Sequence, residues 1–157
     1  MKIYITKKYL IISIISFLIA AFLISLFISA NAFAEVTYEI DSHNPTLNLD
    51  KINTSIKRTC GLVLKVMHLE EFDLDIKIYF VKDYAELSAK CPIRIGKTPV
   101  AYYIPATNTI YMLKYTRAVF AHELTHAMLD KYFGKSFPHE IQEIIPQYVE
   151  KTMRKIY

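Results

Sequence analysis

The sequence is short of cysteine, and its two cysteines, Cys60 and Cys91, lie far apart. With no C-x-x-C pair, it encodes neither a cysteine-rich zinc site nor a dithiol redox centre of that spacing. No internal repeat and no low-complexity segment interrupts the chain. A stripe of aromatic residues interleaved with basic ones is also missing, although there are 12 Tyr and 9 Phe, so nothing marks a nucleic-acid surface. The formal charge of +4 does not replace that signal. Of the 19 Lys and Arg, three fall in the first 34 residues beside no acid, which leaves 16 basic against 15 acidic residues in the remainder. The alkaline balance belongs to the N-terminus and does not point to nucleic acid.

That N-terminus has a pattern of its own. Lys2, Lys7 and Lys8 precede residues 10–30, an almost unbroken run of Leu, Ile, Phe, Ala and Ser. A basic region ahead of an apolar run stays on the cytoplasmic side while the run enters the membrane. Ala32 and Ala34 then offer the A-x-A spacing of a signal-peptidase site. Cleavage after Ala34 is one reading. The other is a retained anchor, because about 20 apolar residues also suffice to span a bilayer. Either reading predicts an exported domain, periplasmic, secreted or held at the outer face of the membrane, with residues 10–30 as its only membrane contact. Residues 35–157 suit one compact domain.

Cys60 and Cys91 fall in the exported part, where an oxidising compartment lets cysteines pair. A disulfide there would close a loop of about 30 residues and stabilise the fold by roughly 3 kcal/mol. Two free thiols of ordinary core type are the alternative.

Along the domain, Leu47, Leu49, Ile52, Ile56, Cys60, Val63, Leu64 and Met67 recur at helical steps and predict a packing helix over 46–68. Residues 74–81 alternate and are rich in branched and aromatic side chains, as a strand would be. A short helix is expected over 83–90, ended by Pro92. Residues 99–103 and 109–113 read as a hairpin turned by Pro105 and Asn108. Thr116 is a fitting N-cap for a helix over 117–133, and Gly134 stands where a left-handed C-cap is wanted. A last helix starts near Phe137 or Pro138 and runs toward Arg154.

The helix over 117–133 contains His122-Glu123-Leu124-Thr125-His126, an H-E-x-x-H pattern. Residues four apart share a helix face, so both imidazoles reach one ion without closing a loop. Glu123 projects beside that ion, where it serves as general base toward water. Apolar neighbours (Val119, Phe120, Leu124, Met128 and Leu129) place the helix inside the domain. Two buried imidazoles and a carboxylate need partners there, and a metal supplies one. One zinc ion per chain is expected. A catalytic zinc takes a third protein ligand, and Glu140 and Glu143 are the acids that follow closely.

From this point the chain resembles the gluzincin zinc metallopeptidases, the thermolysin-like enzymes and the small minigluzincin domains. In small members the third ligand lies in a stretch like P-x-W-L-x-E-G-L-A-E-Y. Pro138, Ile141, Glu143, Ile145 and Tyr148 match it, and the resemblance covers roughly residues 100–151. It implies an α+β zincin-like fold: a small mixed sheet, the H-E-x-x-H helix and a following helix that delivers Glu143 as ligand. It also implies that residues 100–103 form the strand along which a polypeptide substrate pairs. The chain departs from the pattern at two places. Gln147 stands where such domains carry an acid that orients a ligand histidine, which implies weaker orientation. Pro146 stands where they have a small helix former, which implies a kink after Glu143.

The expected function is therefore hydrolysis of peptide bonds by an exported zinc peptidase. Two rivals stand beside it: a non-catalytic zincin-fold module tethered to the membrane, and a zinc hydrolase acting on a non-peptide substrate. For the donor to a developing oxyanion, His139 is the first candidate by helical spacing, ahead of Tyr148, Tyr132 and Tyr111. His43 and His68 have no partner motif and read as ordinary solvated residues.

Overall fold

The first long helix forms because its apolar residues lie on one side and both of its ends are capped. In the computed structural model it is α1, Leu49–Met67, and it buries Ile56, Thr59, Cys60, Val63 and Leu64. The side chain of Asn48 accepts from the Lys51 N–H at 3.0 Å. At the other end His68 adopts the left-handed conformation (φ 55°, ψ 38°). Leu69 N–H then reaches Leu64 C=O at 3.0 Å, so a histidine fills the place that glycine usually takes in this capping motif. The described residues are 35–69, 72–91, 99–134 and 138–156, the side chains of His139 and Glu140 apart. The expected export segment, residues 1–34, lies outside them. From Ala34 onward the chain is one compact unit. Among the described residues no helix is long and apolar enough to cross a membrane.

Four strands and four helices make a small mixed α+β fold. The strands are β1 (Glu35–Ser42), β2 (Asp73–Phe80), β3 (Ala101–Ile104) and β4 (Thr109–Met112). The sheet order is β1-β2-β4-β3, with β1 and β4 parallel to β2 and β3 antiparallel to β4. β1 was not among the predicted elements, although its periodicity is that of a strand. Its Val36, Tyr38 and Ile40 alternate with polar residues and turn inward along an edge of the sheet. In β2, Leu74, Ile76, Ile78 and Phe80 are buried while Asp73, Asp75 and Lys77 are exposed, so one face of the sheet carries the core and the other faces water.

Three further helices are α2 (Tyr84–Lys90), α3 (Arg117–Phe133) and α4 (His139–Lys155). Helix α3 starts at Thr116, whose side chain accepts from Val119 N–H. Phe120, Ala121, Leu124, Ala127 and Met128 of α3 join α1 and the strands in a single core. Thr125, fully buried, donates its hydroxyl to Ala121 C=O at 2.7 Å and leaves no polar group unmet there. Gly134 ends α3 with positive φ (61°) but ψ of −154°. The expected left-handed cap is thus replaced by an extended conformation open almost only to glycine. Helix α4 continues past Pro146, which does not end it. Pro146, Val149 and Met153 are the buried residues of α4. Their spacing of three and four turns Glu143 and Glu150, seven apart, to the same side.

Cys60 and Cys91 are free thiols, not a disulfide. Cys60 is buried in the core on α1, whereas Cys91 follows α2 and meets the side chain of Tyr102.

Candidate metal centre

Helix α3 has two sides with different tasks. Phe120, Ala121, Leu124, Thr125, Ala127, Met128 and Leu129 are buried, while His122, Glu123, His126 and Asp130 keep partial exposure. These four line a cleft of about 680 Å³ whose other walls are β3, with Tyr102 and Tyr103, and the start of α4, with Gln142 and Glu143. The i, i+4 spacing stacks the two histidine side chains, and their Nε2 atoms face each other at 3.2 Å.

Glu143 closes the group from α4. One of its carboxylate oxygens is 3.8 Å from His122 Nε2 and the other 3.6 Å from His126 Nε2. One ligand atom from each residue lies within 4.8 Å of the others. Two atoms that each sit about 2.0–2.1 Å from a tetrahedral zinc are roughly 3.3 Å apart. The two nitrogens already have about that spacing, and each carboxylate oxygen lies a few tenths of an ångström beyond it from a different nitrogen. Two imidazoles and one carboxylate are also the donor set of a hydrolytic zinc.

Glu123 stands one residue along, and β3 holds it. The Tyr103 N–H donates to Glu123 Oε2 at 2.8 Å. Leu113 N–H donates to Val100 C=O at 2.9 Å, and the antiparallel alternation then gives the β4 hydrogen bonds to Tyr102 and Ile104 and turns the Tyr103 backbone outward, toward the cleft. The carboxyl of Glu123 is pushed up from 4.5 to about 7, first by burial and further by the charges of Glu143 and Glu150; the Tyr103 hydrogen bond opposes them. A carboxylate near neutrality is matched to taking and returning a proton at physiological pH.

The partner of His122 is not at the expected position. Gln147 is exposed, and it is Glu150 whose Oε2 lies 3.0 Å from His122 Nδ1. The oxygen sits off the N–H direction, so this is a close polar contact rather than an aligned hydrogen bond. Arg154, one turn on, grips the other oxygen of Glu150 at 2.6 Å through Nη2. Glu150 follows Glu143 by seven residues, two helical turns, and that spacing was the signal that would have found it.

The remaining expected residues divide plainly. The side chains of His139 and Glu140 lie outside those described, as does Pro92. Tyr132 and Tyr148 are exposed and do not line the cleft, and Tyr111 packs against Tyr79 elsewhere on the sheet. His43 is paired rather than simply solvated: its Nδ1 lies 2.9 Å from Glu86 Oε1, away from the cleft. Comparison of the chain with protein-family models, with curated proteins and with solved structures finds no match.

Proposed function

We propose that this protein is an exported zinc-dependent peptidase with a zincin-like fold, cutting polypeptides in the cleft between β3 and α4. The observation that carries the reading is the arrangement of His122, His126 and Glu143 at ligand spacing, with Glu123 beside them and open to the same cleft. A zinc ion held by those three residues supplies Lewis acidity toward water and toward a scissile carbonyl.

The chain's own residues do the rest. Glu123 takes a proton from the attacking water and returns it to the leaving amine. The Tyr103 N–H fixes which way the carboxylate points. Glu150, steadied by Arg154, fixes the ring of His122. At the edge of β3, Tyr103 and Ala101 turn their backbone groups away from β4. With the Tyr103 N–H engaged by Glu123, an extended substrate pairs with the Ala101 backbone and the Tyr103 carbonyl.

The test is metal content and peptidase activity measured together on the full chain and three variants. The native protein and Glu123→Gln should each hold about one zinc. His126→Ala and Glu143→Ala should hold none at the same free zinc, and only the native protein should cut an unstructured polypeptide. A native protein that binds no zinc would end the reading. Zinc without cleavage would shift it to a binding module or a non-peptide hydrolase.

A further inference from the structure

We infer that Asp130 gives the cleft a preference for a cationic side chain, lysine or arginine, close to the bond that is cut. The inference rests on the peptidase reading above and names the substrate class for that site. Asp130 follows His126 by four residues on α3 and lines the same cleft. It stands about 6 Å further along the helix axis, roughly the span of two residues of an extended peptide.

Counting hydrogens shows what the carboxylate lacks. The Tyr103 hydroxyl lies 3.2 Å from Asp130 Oδ2 and 2.9 Å from Asn108 Oδ1. The amide nitrogen of Asn108 donates to Asp75 C=O, so its oxygen is the atom turned to Tyr103. A phenol carries one hydrogen and cannot serve both acceptors at once. At most one of the two oxygens of the half-buried Asp130 carboxylate is therefore met by Tyr103, which leaves the other open to a further donor. Burial, the charge of Asp130 and the hydrogen bond to it all raise the Tyr103 hydroxyl above its usual range, so it stays a donor.

Counting charges points the same way. Glu123, Glu143 and Asp130 line the cleft, and among the described residues lining it there is no Lys or Arg. A bound dication is matched by Glu123 and Glu143, and Asp130 is then without a counter-charge. Leu129, Pro105 and Gly134 line the same cleft and offer apolar surface for the methylene stem of a long basic side chain. An ammonium or guanidinium at Asp130 completes both counts.

The experiment uses the zinc-loaded full chain and N-acetylated peptides that differ at one position, Lys, Gln or Glu, scanned across the bond that is cut. An ion-paired hydrogen bond of this kind predicts a kcat/KM for Lys about 10 to 100 times that for Gln at one position. Asp130→Asn should bring that ratio to within about threefold of unity, and Asp130→Glu should keep it above, the scale being that of one charged hydrogen bond. Binding of the same peptides to Glu123→Gln, with and without Asp130→Asn, is read by fluorescence anisotropy. If no peptide is cut, the peptidase reading falls alone, and a Lys preference in binding that disappears with Asp130→Asn still upholds the cation site. No Lys preference in either assay, or one that survives Asp130→Asn, overturns it. A preference seen only when the peptide amino terminus is left free overturns the side-chain assignment in favour of α-amino recognition.

Discussion

Glu150 Oε2 stands 3.0 Å from Nδ1 of His122, seven residues beyond Glu143, the proposed third ligand, and not at Gln147, four beyond it. The contact that the sequence resemblance implies at Gln147 is thus made one turn later, on the same side of α4. Charge at that atom keeps the His122 ring turned with Nε2 toward His126 and Glu143. Glu150→Gln should therefore weaken zinc binding by about 10- to 100-fold, and Gln147→Ala by less than about twofold, on the scale usual for partners of ligand histidines. Competition with a chelating dye measures both. Equal affinities for native and Glu150→Gln would remove Glu150 from the site. Arg154 is largely exposed, so its ion pair with Glu150 adds little stability, and Arg154→Ala should act on metal affinity before it acts on melting.

Glu123 makes a prediction about metal-free protein. Its carboxyl is lifted from 4.5 to about 7 in the fold, burial being the largest cause. A carboxyl with a raised folded value holds its proton more tightly folded than unfolded. Its stabilising effect is present below pH 4.5 and is lost as pH rises through about 7. The size at full ionisation is about 3 kcal/mol, order of magnitude only. With chelator present, Glu123→Gln should melt higher than native at pH 8 and gain far less at pH 5. The same pH slope in both proteins would show that Glu123 is not held in its neutral form.

The grouping of His122, Glu123 and His126 was legible because helical geometry is local: a spacing of four on one helix fixes a shared face whatever the rest of the chain does. The same locality made the Asn108 turn, the Thr116 cap and the bounds of α3 readable. β1 was legible although it was not predicted: Val36, Tyr38 and Ile40 alternate with Glu35, Thr37, Glu39 and Asp41, the period of a half-buried strand. Glu150 was missed for a physical reason. Its partner is 28 positions away on another helix, and although the spacing of seven from Glu143 puts it on the same side of α4, nothing local decides between positions 147 and 150 as the neighbour of His122. The Tyr103 N–H to Glu123 contact is also tertiary, set by how β3 lies against α3. Gly134 was read correctly as glycine-requiring but for the wrong conformation, because sequence marks a positive φ without fixing ψ.

Free thiols at Cys60 and Cys91 lead to a simple titration. Burial pushes the Cys60 thiol up to about 12, so it carries almost no thiolate at neutral pH. A disulfide-exchange reagent should leave Cys60 unmodified in the folded protein and titrate two thiols after denaturation. Intact mass from an oxidising compartment should match the fully reduced chain. A mass two hydrogens lower, with no thiol released on denaturation, would restore the disulfide.

Two glycines should respond in opposite directions to one chemical change. Gly61 lies inside α1, and a Cβ built there meets nothing within 4 Å. Gly61→Ala should stabilise the fold by about 0.5–1 kcal/mol, because alanine loses less backbone freedom on entering a helix. A Cβ at Gly134 also meets nothing within 4 Å, so no clash contributes there either. The backbone itself differs: φ of 61° with ψ of −154° is a region that side chains disfavour by about 1–3 kcal/mol. Gly134→Ala should therefore lower stability by that amount in urea unfolding, with an unchanged slope against urea. It should also weaken zinc binding, because Gly134 sets the direction in which the chain leaves α3 for α4, and Glu143 depends on that direction. A destabilised Gly134→Ala protein with native zinc affinity would mean that α4 finds its place by packing Pro146, Val149 and Met153 alone.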